Sequence, residues 1–212
     1  GKGYIKTTDD MDVPALSEEN ESESFLRDTV VPQVYNPKAS DWSGEYTLPA
    51  VRNQNPYGTC WVFGSIAASE MSLMRNYDMT RDLSELQLAY FTYHSSFDPL
   101  GGTDGDQVSY IGDEYSNYLQ IGGNYNFAVV SMMNWIGAAD ETTVPYNRAA
   151  ETLRSGLDKE YEYNRDVAHL QDYYRINIKD NPEAVKKAVM SYGAVGVSYA
   201  DDPMYYFYDT NA

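Results

Sequence analysis

One cysteine occurs in the 212 residues, Cys60, and its surroundings hold the side chains best suited to chemistry. In the stretch from Leu48 to Glu70, LPAVRNQNPYGTCWVFGSIAASE, a loop with the turn formers Asn55-Pro56 and Gly58 runs into a helical pattern that Cys60 opens. A thiol at a helix start meets the positive end of the backbone dipole and unpaired amide hydrogens, which favour the nucleophilic thiolate. Gln54 lies six residues upstream, across a turn tight enough to return its amide to the helix start. There it could donate to an oxyanion together with the backbone N–H of Cys60. Gly58 would let a substrate chain approach the backbone closely. Against this stands the plain alternative that a lone cysteine is a small buried hydrophobe.

The elements that must hold these groups can be read from periodicity. Phe63, Ile66, Ala67, Met71 and Met74 recur at three- and four-residue steps, which predicts a helix over 60–76 with Trp61 and Glu70 as packing residues. Further helices are expected over 84–93 with Ser84 as cap, over 124–136, and over 182–192 with Asn181 as cap and Pro182 in the first turn. Tyr46 to Val51 reads as a short strand, and Gly193 to Tyr199, GAVGVSY, as a buried strand. Helices therefore dominate the first two thirds, and β structure begins near the end.

Composition excludes whole classes of function. With 15 basic against 32 acidic side chains the formal charge is −17, and no local basic patch would offset repulsion from nucleic acid. Apolar runs are far shorter than the roughly 20 residues of a membrane helix, and the amino terminus lacks a signal peptide's apolar segment. A single cysteine allows no intramolecular disulfide and no thiolate metal centre. The compartment stays open: cysteine poverty suits a reducing interior, whereas 21 tyrosines and an acidic surface are common in exported proteins. Residues 1–35, with the acidic stretch Ser17 to Ser24, have no apolar face and read as a leader or linker. Asn20-Glu21-Ser22 fits a glycosylation acceptor, a triplet frequent by chance. The loop Asp98 to Asp106 lacks the alternating ligands of a calcium loop and reads as a solvated loop, and Asp201-Asp202 as a turn.

Asn53-Gln54 followed by Gly58-Thr59-Cys60-Trp61-Val62-Phe63 resembles the catalytic-cysteine motif of the papain-like cysteine peptidases, family C1. The likeness covers about residues 36–208. It takes in Pro37 and Asp41-Trp42 upstream; downstream it takes in Leu83 to Leu88, the pair Gly122-Gly123, Pro145-Tyr146, and Ala184 to Val197. The resemblance implies an α+β papain-like fold, its helical domain complete and its β-barrel domain partly present. It implies a cysteine endopeptidase in which Cys60 is the nucleophile, Gln54 the oxyanion donor, and Gly58, Gly122 and Gly123 line the substrate cleft. Its partner is a peptide or protein substrate, and no cofactor is implied.

Two departures qualify the likeness. The family usually has a cysteine at the position of Tyr57 and its bridge partner near Gln120, so the cleft loop must be held by packing, with Tyr57 a candidate. This resembles the disulfide-poor bacterial branch, in which the box reads YGTCW. The second departure concerns the general base, a histidine that lies roughly 130 to 150 residues after the cysteine and precedes an asparagine. That offset holds no histidine here, and the strand at Gly193 to Val197 puts the expected site beyond Ala212. His94 and His169 read as surface or satisfied core residues. A barrel that stops after its first strands leaves edges unpaired, which predicts a segment of a longer polypeptide. A noncatalytic peptide-binding relative and an adhesion module are the competing readings.

Overall fold

A computed structural model describes residues 48–94, 117–179 and 181–199. The leader, Pro37, Asp41-Trp42, the loop from Asp98 to Asp106 and Asp201-Asp202 lie outside the described residues. Helix α1 spans Cys60–Tyr77, α2 Glu85–Tyr93 and α3 Tyr125–Met133. Two short helices, α4 over Ala149–Ser155 and α5 over Glu160–Tyr163, precede α6 over Pro182–Tyr192. Strand β1, Ala138–Ala139, pairs antiparallel with β2, Asp166–Ala168, through a bulge that lets Ala138 face Ala168 and Ala139 face Asp166. The architecture is α+β and largely helical, with this small sheet at one side.

Helix starts follow local side-chain chemistry. The Ser84 hydroxyl accepts from the Gln87 N–H at 3.0 Å and donates to the Val144 carbonyl at 2.6 Å, so it caps α2 and ties it to a distant loop. Asn124 caps α3 by accepting from Phe127 N–H, and Asn181 caps α6 by accepting from Ala184 N–H at 2.9 Å. At the other end of α6, Gly193 adopts φ 94°, and a side chain there would press on the Met71 carbonyl of α1.

The core lies where α1, α2 and α3 meet. Trp61, Ile66, Leu83, Leu86, Leu88 and Leu119 are each at most 1% exposed, and Tyr93 and Phe127 stand edge-on to Trp61. Burying side chains of this size is worth roughly 1.5–3 kcal/mol each, so these few positions dominate stability. Tyr125 projects from α3 into the space over Gly64 of α1, and its ring also covers Gly196 in the stretch after α6.

Three expectations change. Helix α3 ends at Met133 rather than at Ile136, because Trp135 takes φ 67° and the Ile136 N–H turns back to the Ser131 carbonyl. Leu48 to Val51, the described part of the first expected strand, forms no strand, and Val51 is fully exposed. Gly193 to Tyr199 forms no strand, with Val197 and Tyr199 exposed. An apolar run becomes a buried strand only when a strand pairs with it, and none does so among the described residues. The described residues also include no helix long and apolar enough to cross a membrane.

Candidate active site

The stretch from Arg52 to Thr59 is pinned at both ends. Arg52 reaches three carboxylates: Glu70 of α1 at 2.8 Å, Asp82 at 2.6 Å and Glu85 at the start of α2 at 2.9 Å. Glu70 also accepts the Leu83 N–H at 2.7 Å. Burial pushes Glu70 and Glu85 above the usual carboxylate range, while the Arg52 guanidinium pulls both back; it is itself raised by them against its own burial. One cation shared by three acids joins the loop to two core helices.

Beyond Arg52 the chain turns through a cis Asn55-Pro56 bond. Gln54 is bound to Tyr57 twice, its carbonyl accepting the Tyr57 N–H at 3.1 Å and its side-chain amide donating to the Tyr57 carbonyl at 2.9 Å. An amide NH2 has two hydrogens, so one is spent here. Gly58 is buried and its N–H donates to the Leu119 carbonyl at 2.9 Å, so that N–H is bound within the protein. The Gln120 side chain adds a bond of 2.7 Å to the Pro56 carbonyl. Tyr57 and Gln120 therefore flank a hydrogen-bonded seam where the resemblance implied a disulfide, with Tyr57 packed edge-on to Tyr146 at 6.3 Å.

Cys60 is exposed at the first position of α1. That meets the geometric requirement for a nucleophile and removes the buried-hydrophobe alternative. Its acidity differs from expectation. Although the residue is exposed, the protein behind the sulfur desolvates a thiolate and pushes the thiol up, and the N–H groups of Trp61 and Cys60 oppose this without cancelling it. A helix start alone does not ionise this sulfur; a cationic neighbour has to.

Neither histidine serves that role. His94 aims Nδ1 at the Tyr90 carbonyl, 2.8 Å away, which makes that nitrogen the protonated one; its ring stacks on Tyr90 at 3.9 Å. His169 stacks on Trp135 at 4.2 Å. Its Nε2 is 3.8 Å from Asp166, but burial lowers the imidazole from its ordinary 6.5, so at neutral pH the ring is uncharged and the contact is no ion pair.

The paired glycines are buried beside Trp61. Gly122 adopts φ 89° and its carbonyl accepts the Tyr93 hydroxyl. A Cβ on Gly123 would lie 2.5 Å from the Trp61 indole, so close packing by Trp61 already demands glycine there. Trp61 and Glu70 are the packing residues expected.

Sequence reasoning missed Arg52 and Tyr146. Glu70 carried a signal, standing four residues from both Ile66 and Met74 on the buried face of α1, where a charge needs a partner. Tyr146 entered only through the Pro145-Tyr146 likeness and its role gave no local sign, since its hydroxyl meets groups 87 and 92 residues away.

Residues 36–211 match the papain family of cysteine proteases. The chain belongs to this family. It is 30% identical over 165 residues to cysteine proteinase 1 of Entamoeba histolytica, a match covering 76% of this chain and 43% of that protein. Human cathepsin O is 22% identical over 79% of this chain and 44% of its own length. A viral cathepsin of the Lymantria dispar multicapsid nuclear polyhedrosis virus is 27% identical over 78% of this chain and 39% of its own. The chain spans less than half the length of these curated relatives, which come from an amoeba, a human and a virus rather than from bacteria.

Proposed function

We propose that this papain-family chain carries the nucleophilic half of a cysteine endopeptidase. The observation that carries the reading is an exposed Cys60 at the start of α1, next to a loop in which Gln54 is bound to Tyr57. In the proposed reaction the Cys60 sulfur attacks the peptide carbonyl carbon, and the carbonyl oxygen becomes an oxyanion held by Gln54 and the Cys60 N–H. Collapse breaks the C–N bond, the leaving amine takes a proton from an imidazolium, and an acyl-enzyme remains until water hydrolyses it to a carboxylic acid. Gly58, Gly122 and Gly123 border the substrate in this scheme. The imidazole belongs to neither His94 nor His169, so the scheme draws it from outside this sequence, from a remainder that also completes the barrel.

Iodoacetamide labelling of the intact polypeptide near pH 6, combined with peptide hydrolysis, tests the proposal. Rapid labelling, and loss of all turnover in Cys60→Ala, are expected; turnover retained in that variant overturns it. The raised thiol favours one second reading, a peptide-binding relative without turnover, marked by a labelling rate that follows an ordinary thiol near 8.5. A secreted or cell-surface location goes with the peptidase reading, supported by the acidic, tyrosine-rich composition, and is tested by surface labelling of intact cells.

A further inference from the structure

Thr59 stands at the N-cap of α1, a position where a threonine hydroxyl ordinarily accepts an N–H of the first turn, yet it makes no such bond. Fully buried, it instead meets the Tyr146 hydroxyl at 2.6 Å. The same phenol oxygen lies 2.9 Å from the Gln54 carbonyl. A carbonyl has no hydrogen to give, so Tyr146 donates to Gln54 and its oxygen is left to accept from Thr59. The chain of donors then runs one way, from Thr59 through Tyr146 to Gln54, and each bond polarises the next. Burial holds the phenol up to about 12, so it keeps its proton, and the direction of the chain, at any working pH.

The ring is held as firmly as its oxygen. Phe63 of α1 stands edge-on to it at 4.8 Å, Tyr57 does so from the loop, and the Tyr146 N–H donates to Glu141 at 2.7 Å. Residues that flank Cys60 and carry Gln54 are thus tied to one phenol from a different part of the chain.

We infer that Tyr146 is a positioning residue that sets Gln54 relative to Cys60 by hydrogen-bonding the Gln54 carbonyl and the Thr59 hydroxyl together. It touches no substrate and acts through Gln54. This rests on the peptidase reading of Cys60 and Gln54.

The test compares the intact polypeptide with Tyr146→Phe, Gln54→Ala and the double variant. Because misplacing an oxyanion donor costs the transition state and not ground-state binding, Tyr146→Phe is expected to lower kcat about tenfold with KM within about twofold. Gln54→Ala lowers kcat by about 10², and the double variant is no more than about twofold slower again, since the phenol then has nothing to position. Should Tyr146→Phe fail to fold by circular dichroism, Thr59→Ala removes the other end of the relay and is expected to lower kcat about threefold. A Tyr146→Phe or, in its place, Thr59→Ala kcat within twofold of the parent, a loss that falls on KM, or losses that multiply in the double variant overturn the assignment while leaving the peptidase reading intact. An unsubstituted polypeptide without turnover overturns both.

Discussion

At Arg52, three carboxylates gather round one guanidinium, and two of them, Glu70 and Glu85, are buried. At Asp166, in β2, a carboxyl group 4% exposed sits against Gly137 with neither oxygen hydrogen-bonded. Burial raises the acids in both places. Near Arg52 the cation and the Leu83 N–H pull back; at Asp166 the second influence, Glu162, pushes the same way, and the carboxyl rises to about 7. The lesson is that a partner offsets what burial does to an acid, and an acid without one is left to take up a proton. The paired cluster braces the loop that carries Gln54, whereas the unpaired acid is the first residue of β2.

Removing the shared cation is the sharpest way to break this contrast. Arg52→Met is expected to cost about 3 kcal/mol in urea unfolding, because it strands buried carboxylates. Loss of less than about 1 kcal/mol would show that solvent already screens them. Glu70→Gln keeps an acceptor for the Leu83 N–H but removes a charge, and about 1–2 kcal/mol is expected from the same measurement.

Asp166 responds to pH instead. Its folded value lies above its ordinary 3.8, so the native state holds a proton that the unfolded chain releases. Stability therefore falls as pH rises from about 4 to 7. Asp166→Asn should raise the melting temperature at pH 8 and flatten this fall, leaving a smaller slope from Glu141, which burial also lifts to about 7. An unchanged slope would mean that Asp166 ionises freely in the fold. The smallest effect belongs to Glu162→Gln, which removes the repelling neighbour and should move the Asp166 transition, followed by NMR titration, partway down.

How much of this was legible depended on how local its cause was. Ser84 and Asn181 announced the helices they cap because the bond that starts a helix lies within three residues of the cap. The helix start at Cys60 and the turn that carries Gln54 were legible for the same reason, each arising within a few residues of chain. Gly193 to Tyr199 was misread because the hydrophobic pattern says what a strand could bury and nothing about whether neighbours pair with it. The dipole argument for Cys60 left out the desolvation behind the sulfur, which pushes the thiol up. Arg52 and Tyr146 act across folds of the chain that periodicity does not record.

The stretch after α6 and the cysteine-bearing helix are separated by the thickness of a single phenol, that of Tyr125, whose atoms occupy the places where Gly64 and Gly196 would carry a methyl. The three positions are therefore coupled: an alanine at either glycine requires the Tyr125 ring to shift or to be replaced by something smaller. Substitution at that spot is easier once the tyrosine has given way than before it.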